Sequence, residues 1–400
     1  MLIGLVGKPS TGKSTFFRAA TLAEAEIAAY PFTTIKPNTG VGYVKVQCVD
    51  REFNVQCNPR DGFCINGWRF VPTQVLDVAG LIPGAHEGLG LGNQFLDDLR
   101  QADIFIHIVD ISGSTSEKGE SVPVGSYDPA NDVRFLEVEL DLWYFDILKK
   151  AWDRFARHAE QIQEEIPKAV AKQMSGLGNI SEDRIRTILE NFNLSTKKLV
   201  TWTDDDIKKF AATIRKETKP MIIACNKIDV KGAYENYVRL KKEFPDYLFV
   251  PCSAESELAL REAARQELIV YVPGEKKFVM KNETKLNDNQ KKALAFIQQN
   301  ILDKYGTTGV QDVLDKAVFE LLKYIVIFPG GVNNLVDKHG NVLPDAFLLK
   351  EGSTPVDFAF RIHTDIGKNY IKAINVKTKL PLGKEHILKN RDVVEIKTSK

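Results

Sequence analysis

Gly7-Lys8-Pro9-Ser10-Thr11-Gly12-Lys13-Ser14 is the stretch from which the rest of the chain is read. Upstream, Leu2-Ile3-Gly4-Leu5-Val6 is a short apolar run that reads as a buried strand. Downstream, Thr15-Phe16-Phe17 opens a helical pattern reaching to about Glu26. A strand, a G-x-x-x-x-G-K-[ST] loop and a helix, in that order, make a phosphate cradle. The two glycines let the backbone turn its N–H groups inward, and the helix start adds the positive end of its dipole. In this reading Gly7, Pro9, Ser10, Thr11, Gly12, Lys13, Ser14 and Thr15 hold a nucleoside triphosphate. Lys13 faces the β- and γ-phosphates, and the Ser14 hydroxyl ligates Mg²⁺.

Two later stretches have the chemistry of γ-phosphate sensors. Tyr30-Pro31-Phe32-Thr33-Thr34-Ile35-Lys36-Pro37 carries two prolines, which exclude a helix or central strand, so it reads as a loop. A hydroxyl there can complete the Mg²⁺ shell only while the γ-phosphate is present; Thr34 is the first choice and Thr33 the second. Residues 41–49 alternate as a strand, and a second strand over 69–78 ends at Asp77-Val78-Ala79-Gly80. Asp77 at a strand end can hold Mg²⁺ through water, and Gly80 lets its N–H approach the γ-phosphate. Gly84, Gly88, Gly90 and Gly92 follow as a flexible switch. Leu81 cannot orient water by hydrogen bonding, so slow intrinsic hydrolysis is expected, with a partner or a conformational change bringing in another polar group. His86 is the nearest titratable candidate, read either as catalytic or as an exposed histidine with no role.

The base is read further along. Ile104 to Asp110 forms a buried strand, with His107 as a core histidine. Another, Met221 to Cys225, runs into Asn226-Lys227-Ile228-Asp229. The Asp229 carboxylate can accept from both the N1–H and the exocyclic amine of guanine, a donor pair adenine lacks on that edge. The Lys227 stem can lie along the base, and Asn226 can tie neighbouring loops together. A strand at Tyr247 to Pro251 leads to Ser253-Ala254, whose backbone N–H groups are placed to meet the guanine O6. GTP or GDP is therefore the expected ligand.

Taken with the run Gly84 to Asn93, these motifs resemble those of Obg-superfamily GTP-binding proteins, within the YchF-like branch. YchF proteins proper are associated with ATP and lack the last Asp of the base motif, so Asp229 sets this chain with GTP-selective relatives. Ser10 stands where Obg-type loops usually carry an asparagine linked in some relatives to potassium-assisted hydrolysis, which puts K⁺ dependence in question. The segment Gly352-Ser353-Thr354-Pro355-Val356-Asp357-Phe358 to Gly367 resembles the TGS domain, a ubiquitin-like β-grasp module. His363 within it reads as structural. The expected fold is α/β: a P-loop NTPase (G domain) over 1–112 and 218–275, an α-helical insertion over 113–217, a helical linker over 276–323, and the β-grasp domain over 324–400.

Within the insertion, residues 113–131 are polar and read as a mobile linker. A long amphipathic helix then follows from Leu136, broken near Pro167 or at Gly176-Leu177-Gly178. Between 128 and 219 the charges balance at 16 Lys+Arg against 17 Asp+Glu, so a solvated face accounts for them. After Lys323 there are 12 Lys+Arg against 8 Asp+Glu, a modest excess compatible with RNA contact. A net charge of +1 excludes a globally basic nucleic-acid coat, and no DNA partner is expected. No apolar run approaches a membrane span and no signal peptide precedes the first strand, so the expected location is cytoplasmic. Cys48, Cys57, Cys64, Cys225 and Cys252 read as reduced and mostly buried; a metal site on Cys48, Cys57 and Cys64 is the minor alternative, because their spacings lack the usual zinc pattern. The leading expectation is a GTP-dependent switch acting on ribosome or RNA through the insertion and the TGS domain. The alternatives are a housekeeping nucleoside triphosphatase and a scaffold with a structural nucleotide site.

Overall fold

The computed structural model describes residues 1–21, 38–78, 100–174 and 180–399. It divides into two compact units, one of residues 1–14 and 76–252, the other of 15–75 and 253–400.

In the first unit four strands run parallel in the order Leu2–Val6, Ile104–Asp110, Met221–Asn226 and Leu248–Pro251. The two central strands are buried along their whole length, which is why each reads as an unbroken apolar run without alternation. Register fixes where they stop: Val6 pairs with His107, Asp110 with Asn226, and Cys225 with Pro251. The carboxyl ends of the strands, with the loops that follow them, therefore share one edge. In open parallel sheets that is where ligands bind. Burial holds the His107 imidazole far below its ordinary range, at about 3, as a neutral core histidine.

The helical insertion belongs to this unit. Its main helix is Ala130–Gln161, beginning earlier than the apolar repeat suggested because Asp132 lies in its first turn. Pro167 falls within the first turn of a separate helix, Ile166–Met174, where its missing N–H costs nothing. Ser181 caps Glu182–Asn191, and Thr203 with Asp206 closes a capping box on Asp204–Thr218. Trp152 and Trp202 meet in a tilted pair at 5.0 Å, and Trp202 meets Phe210 edge-on at 5.5 Å. Buried Arg215 is held by Asp141 at 2.7 Å and Glu137 at 3.4 Å. Residues 113–131 are not a mobile linker: Gly113 N–H donates to Asp110, Gly125 N–H to Ser112 and Tyr127 N–H to Gly113. The polar composition serves these turns, not disorder.

In the second unit, Thr39–Gln47 and the hairpin of Phe63–Ile65 with Trp68–Asp77 precede helices and a five-stranded sheet. That sheet has the order Phe347–Lys350, Tyr324–Pro329, Val393–Thr398, Tyr370–Asn375, Pro381–Leu382. Its central pair, Tyr324–Pro329 with Val393–Thr398, is parallel; the other pairs are antiparallel. Helix Pro355–Ile362, capped by Thr354 and Asp357, lays Phe358 into a core with Ile327, Leu349 and Val394. This is the β-grasp fold expected of a TGS domain. In the same unit, the helix Ala254–Arg265 buries an ion pair: Glu257, fully buried, accepts from Arg261 Nε at 2.6 Å and from the Tyr271 hydroxyl at 2.7 Å. Glu257→Ala leaves a buried guanidinium unpaired and is expected to cost about 3–5 kcal/mol. Urea unfolding measures it; a loss below about 1 kcal/mol would show that water or another acid replaces the carboxylate.

Candidate functional site

The phosphate loop follows directly from the end of the first strand. Gly12 sits at φ +89° and Ser10 at φ +65°, so the chain turns twice through the left-handed region within three residues. A side chain at Gly12 would lie 2.2 Å from the Asn226 Nδ2, because that amide donates to the Thr11 carbonyl at 2.8 Å. Asn226 thus ties the base-motif loop to the phosphate loop. Lys13 opens the helix Lys13–Thr21 and forms an ion pair with Asp77, the last residue of its strand. The neighbouring Val78 N–H donates to the Leu5 carbonyl, which places Asp77 beside the end of the first strand. The Ser14 side chain is exposed at the same helix start.

Lys227 has φ +62°, and its ammonium reaches Asp110 Oδ2 at 2.8 Å. Asp110 also accepts from the hydroxyls of Ser112, Ser114 and Thr115. Burial alone would raise its pKa, but Lys227 and these hydroxyls outweigh it and hold the carboxyl below the usual range. Asp229 is exposed on the turn that follows, where the Val230 N–H donates to Lys227 and the Ile228 N–H to Cys252. A carboxylate held on a tight turn beside an aliphatic lysine stem can accept two donors from one ring edge.

Family models match most of the chain. One described as "Obg-like GTPase YGR210-like, G4 motif-containing domain" matches residues 224–332, a "50S ribosome-binding GTPase" model matches 2–133, and a TGS domain model matches 339–398. Over 396 residues, 99% of this chain and 98% of the other, the sequence is 49% identical to a GTP-binding protein of Methanocaldococcus jannaschii. The chain belongs to the YchF-like branch of the Obg-superfamily GTP-binding proteins. The crystal structure of a GTP-binding protein from Pyrococcus horikoshii OT3 is similar over the full length of both chains, with a TM-score of 0.78 at 37% identity. The ribosome-binding ATPase YchF of Bacillus subtilis is 26% identical over 424 residues, covering 98% of each.

Within this YchF-like chain, Gly7, Pro9, Ser10, Thr11, Gly12, Lys13, Ser14, Asp77, Asn226, Lys227 and Asp229 all belong to the first unit, most of them at the shared strand-end edge. Thr34, Gly80 and His86 lie outside the described residues. Thr15, Ser253 and Ala254 belong to the second unit. The Ser253 N–H donates to the Thr308 carbonyl at 2.8 Å, a use the sequence reading did not foresee. For the Mg²⁺ that the family implies, the donors present are the Asp77 carboxylate and the Ser14 hydroxyl. These are hard oxygens of the kind that ion takes.

Three participants were missed by the sequence reading. Lys8, in a variable position of the loop motif, is buried; its ammonium donates to the Thr115 carbonyl and to Asp132 Oδ1, both at 2.9 Å, and lies 3.7 Å over the Tyr127 ring. Burial raises the Asp132 pKa, against the pull of Lys8 and the Tyr127 hydroxyl. Asp110 was legible as an acid ending a buried strand, but nothing in the sequence paired it with Lys227. If the Asn226 clamp matters as drawn, Gly12→Ala, which forces that amide aside, should cost about 1–3 kcal/mol. Chemical denaturation reads this out, and an unchanged midpoint would show the clamp to be dispensable.

Proposed function

We propose that this protein binds Mg-GTP, hydrolyses it slowly, and uses the difference between its GTP and GDP forms as a switch on a ribosomal or RNA partner. The observation carrying the proposal is the gathering of the phosphate loop, Asp77 and the Asn226–Asp229 motif at one end of a parallel sheet. Lys13 is assigned to the phosphates. Ser14, Asp77 and Thr34 are assigned to Mg²⁺, Gly80 to γ-phosphate sensing, and Asp229 to the guanine edge. His86 is the candidate for positioning water, since Leu81 cannot. Ion pairing of Lys13 with Asp77 keeps the phosphate-binding cation and the metal-binding anion side by side, so a Mg-nucleotide has both partners within one residue's reach.

Relatives at 26–29% identity are named ribosome-binding ATPases, which makes base choice the point to test. Because the Asp229 carboxylate matches two guanine donors, GTP should bind at least about a hundredfold more tightly than ATP. Asp229→Asn should transfer preference to xanthine nucleotides in a competition assay. Unchanged selectivity would overturn the assignment. The partner is assigned from the modest basicity of the TGS domain and from the names of these relatives. Ribosome co-sedimentation should differ at least about tenfold between a non-hydrolysable GTP analogue and GDP, whereas equal binding in every nucleotide state would sink the switch.

A further inference from the structure

Three of the five cysteines, scattered in the sequence without a recognisable metal spacing, converge in the second unit. Cys48 follows the strand Thr39–Gln47, Asp50 begins the short turn Asp50–Phe53, Cys57 lies in the loop beyond it, and Cys64 is the middle residue of Phe63–Ile65. One ligand atom from each of the four lies within 4.8 Å of all the others. Cys48 Sγ is 3.6 Å from Cys57 Sγ, and Cys64 Sγ is 3.9 Å from Asp50 Oδ2. Zinc–sulfur bonds of about 2.3 Å put thiolates about 3.8 Å apart along the edges of a tetrahedron, and a zinc–carboxylate bond of about 2.0–2.2 Å gives an S···O edge of about 3.5–3.7 Å. The separations of 3.6 and 3.9 Å lie within a few tenths of an ångström of those edges. They are far too long for a disulfide, whose sulfurs are about 2.0 Å apart. We propose that Cys48, Asp50, Cys57 and Cys64 bind a single structural zinc ion.

Three further observations support a cation. Asp50 is 3% exposed, yet among the described residues it has no ion-pair partner. Its Oδ1 accepts the Arg51 N–H at 2.8 Å, which turns Oδ2 toward the sulfurs, where it meets the Cys57 N–H at only 3.4 Å. A buried carboxylate so placed is costly unless a metal or a cation takes it. Arg69 is opposite Cys64 in the hairpin, fully buried, with Nε and Nη1 lacking hydrogen-bond partners. Its charge offsets the net negative charge of a divalent ion held by three thiolates and a carboxylate. Three soft sulfurs select zinc over magnesium or calcium, and four protein ligands in a buried tetrahedron leave no open position for catalysis.

The zinc's task follows from what its ligands carry. On the same knuckle, the Asn58 N–H donates to Val342 and the Arg60 N–H to Pro344, each at 2.9 Å. Arg69 Nη2 donates to Leu343 at 2.7 Å, and Glu52 pairs with Lys377. The ion therefore fixes the platform on which the β-grasp domain rests.

Full-length protein, stripped of metal under reducing conditions, is titrated with Co²⁺ and then Zn²⁺. The expected result is a tetrahedral cobalt–thiolate spectrum that saturates at one equivalent and is erased by one equivalent of zinc. Cys57→Ser should lose it, with zinc affinity down at least about a hundredfold, and Asp50→Asn should weaken it. Cys225→Ser, in the first unit and not one of the four ligands, should leave it intact. Zinc loading should also slow amide exchange at Asn58 and Arg60. No cobalt–thiolate absorption in the wild-type chain, absorption that survives Cys57→Ser, or a Cys48–Cys57 disulfide in protein isolated without reductant would each overturn the proposal. The wild-type titration decides even if a variant fails to fold.

Discussion

A single side-chain amide holds the nucleotide site together. Asn226 ends a buried strand whose register with Ile104–Asp110 places it opposite Asp110, and from there it donates to the carbonyl of Thr11 in the phosphate loop. The two left-handed turns of that loop, at Ser10 and Gly12, have no regular hydrogen-bond ladder of their own, so their shape depends on bonds from neighbouring strands. Gly12 is required there twice over, by its φ of +89° and by the amide that occupies the space of a Cβ. The parallel sheet thereby supplies function as well as packing: staggered strand ends bring residues more than two hundred positions apart to a common edge.

Much of this was legible because the signals are local. A phosphate loop announces itself through glycine spacing and the strand and helix on either side, and Asn226-Lys227-Ile228-Asp229 through its place after an unbroken apolar strand. Capping also reads from neighbours alone, as at Ser181. What escaped depends on tertiary approach. Lys8 carries no sign in the sequence of the contact it makes with Asp132, 124 residues away. The segment 113–131 looked like a linker because its turns are stabilised by backbone bonds that polar composition does not reveal. Cys48, Cys57 and Cys64 stood only as a minor metal alternative because their spacings match no familiar pattern, while the fourth donor, Asp50, escaped as a residue type that usually lies on the surface.

The two units illustrate different ways of keeping charge inside a protein. In the first, Asp110 is stabilised by three hydroxyls and Lys227, and Arg215 by Asp141 and Glu137. In the second, Glu257 is saturated by Arg261, Tyr271 and Thr308. Each network meets the desolvation cost with several directed bonds, the condition under which buried charge is tolerated and a unique packing is selected.

The Lys8 contact has a mechanical corollary. Its partner Asp132 lies in the first turn of a helix of 32 residues, a rod about 48 Å long. Anchored at its root to the loop, such a rod magnifies angle into distance: a tilt of about ten degrees at Asp132 sweeps its far end through about 8 Å. The root of that rod is set by a lysine at a position that the loop motif leaves free to vary.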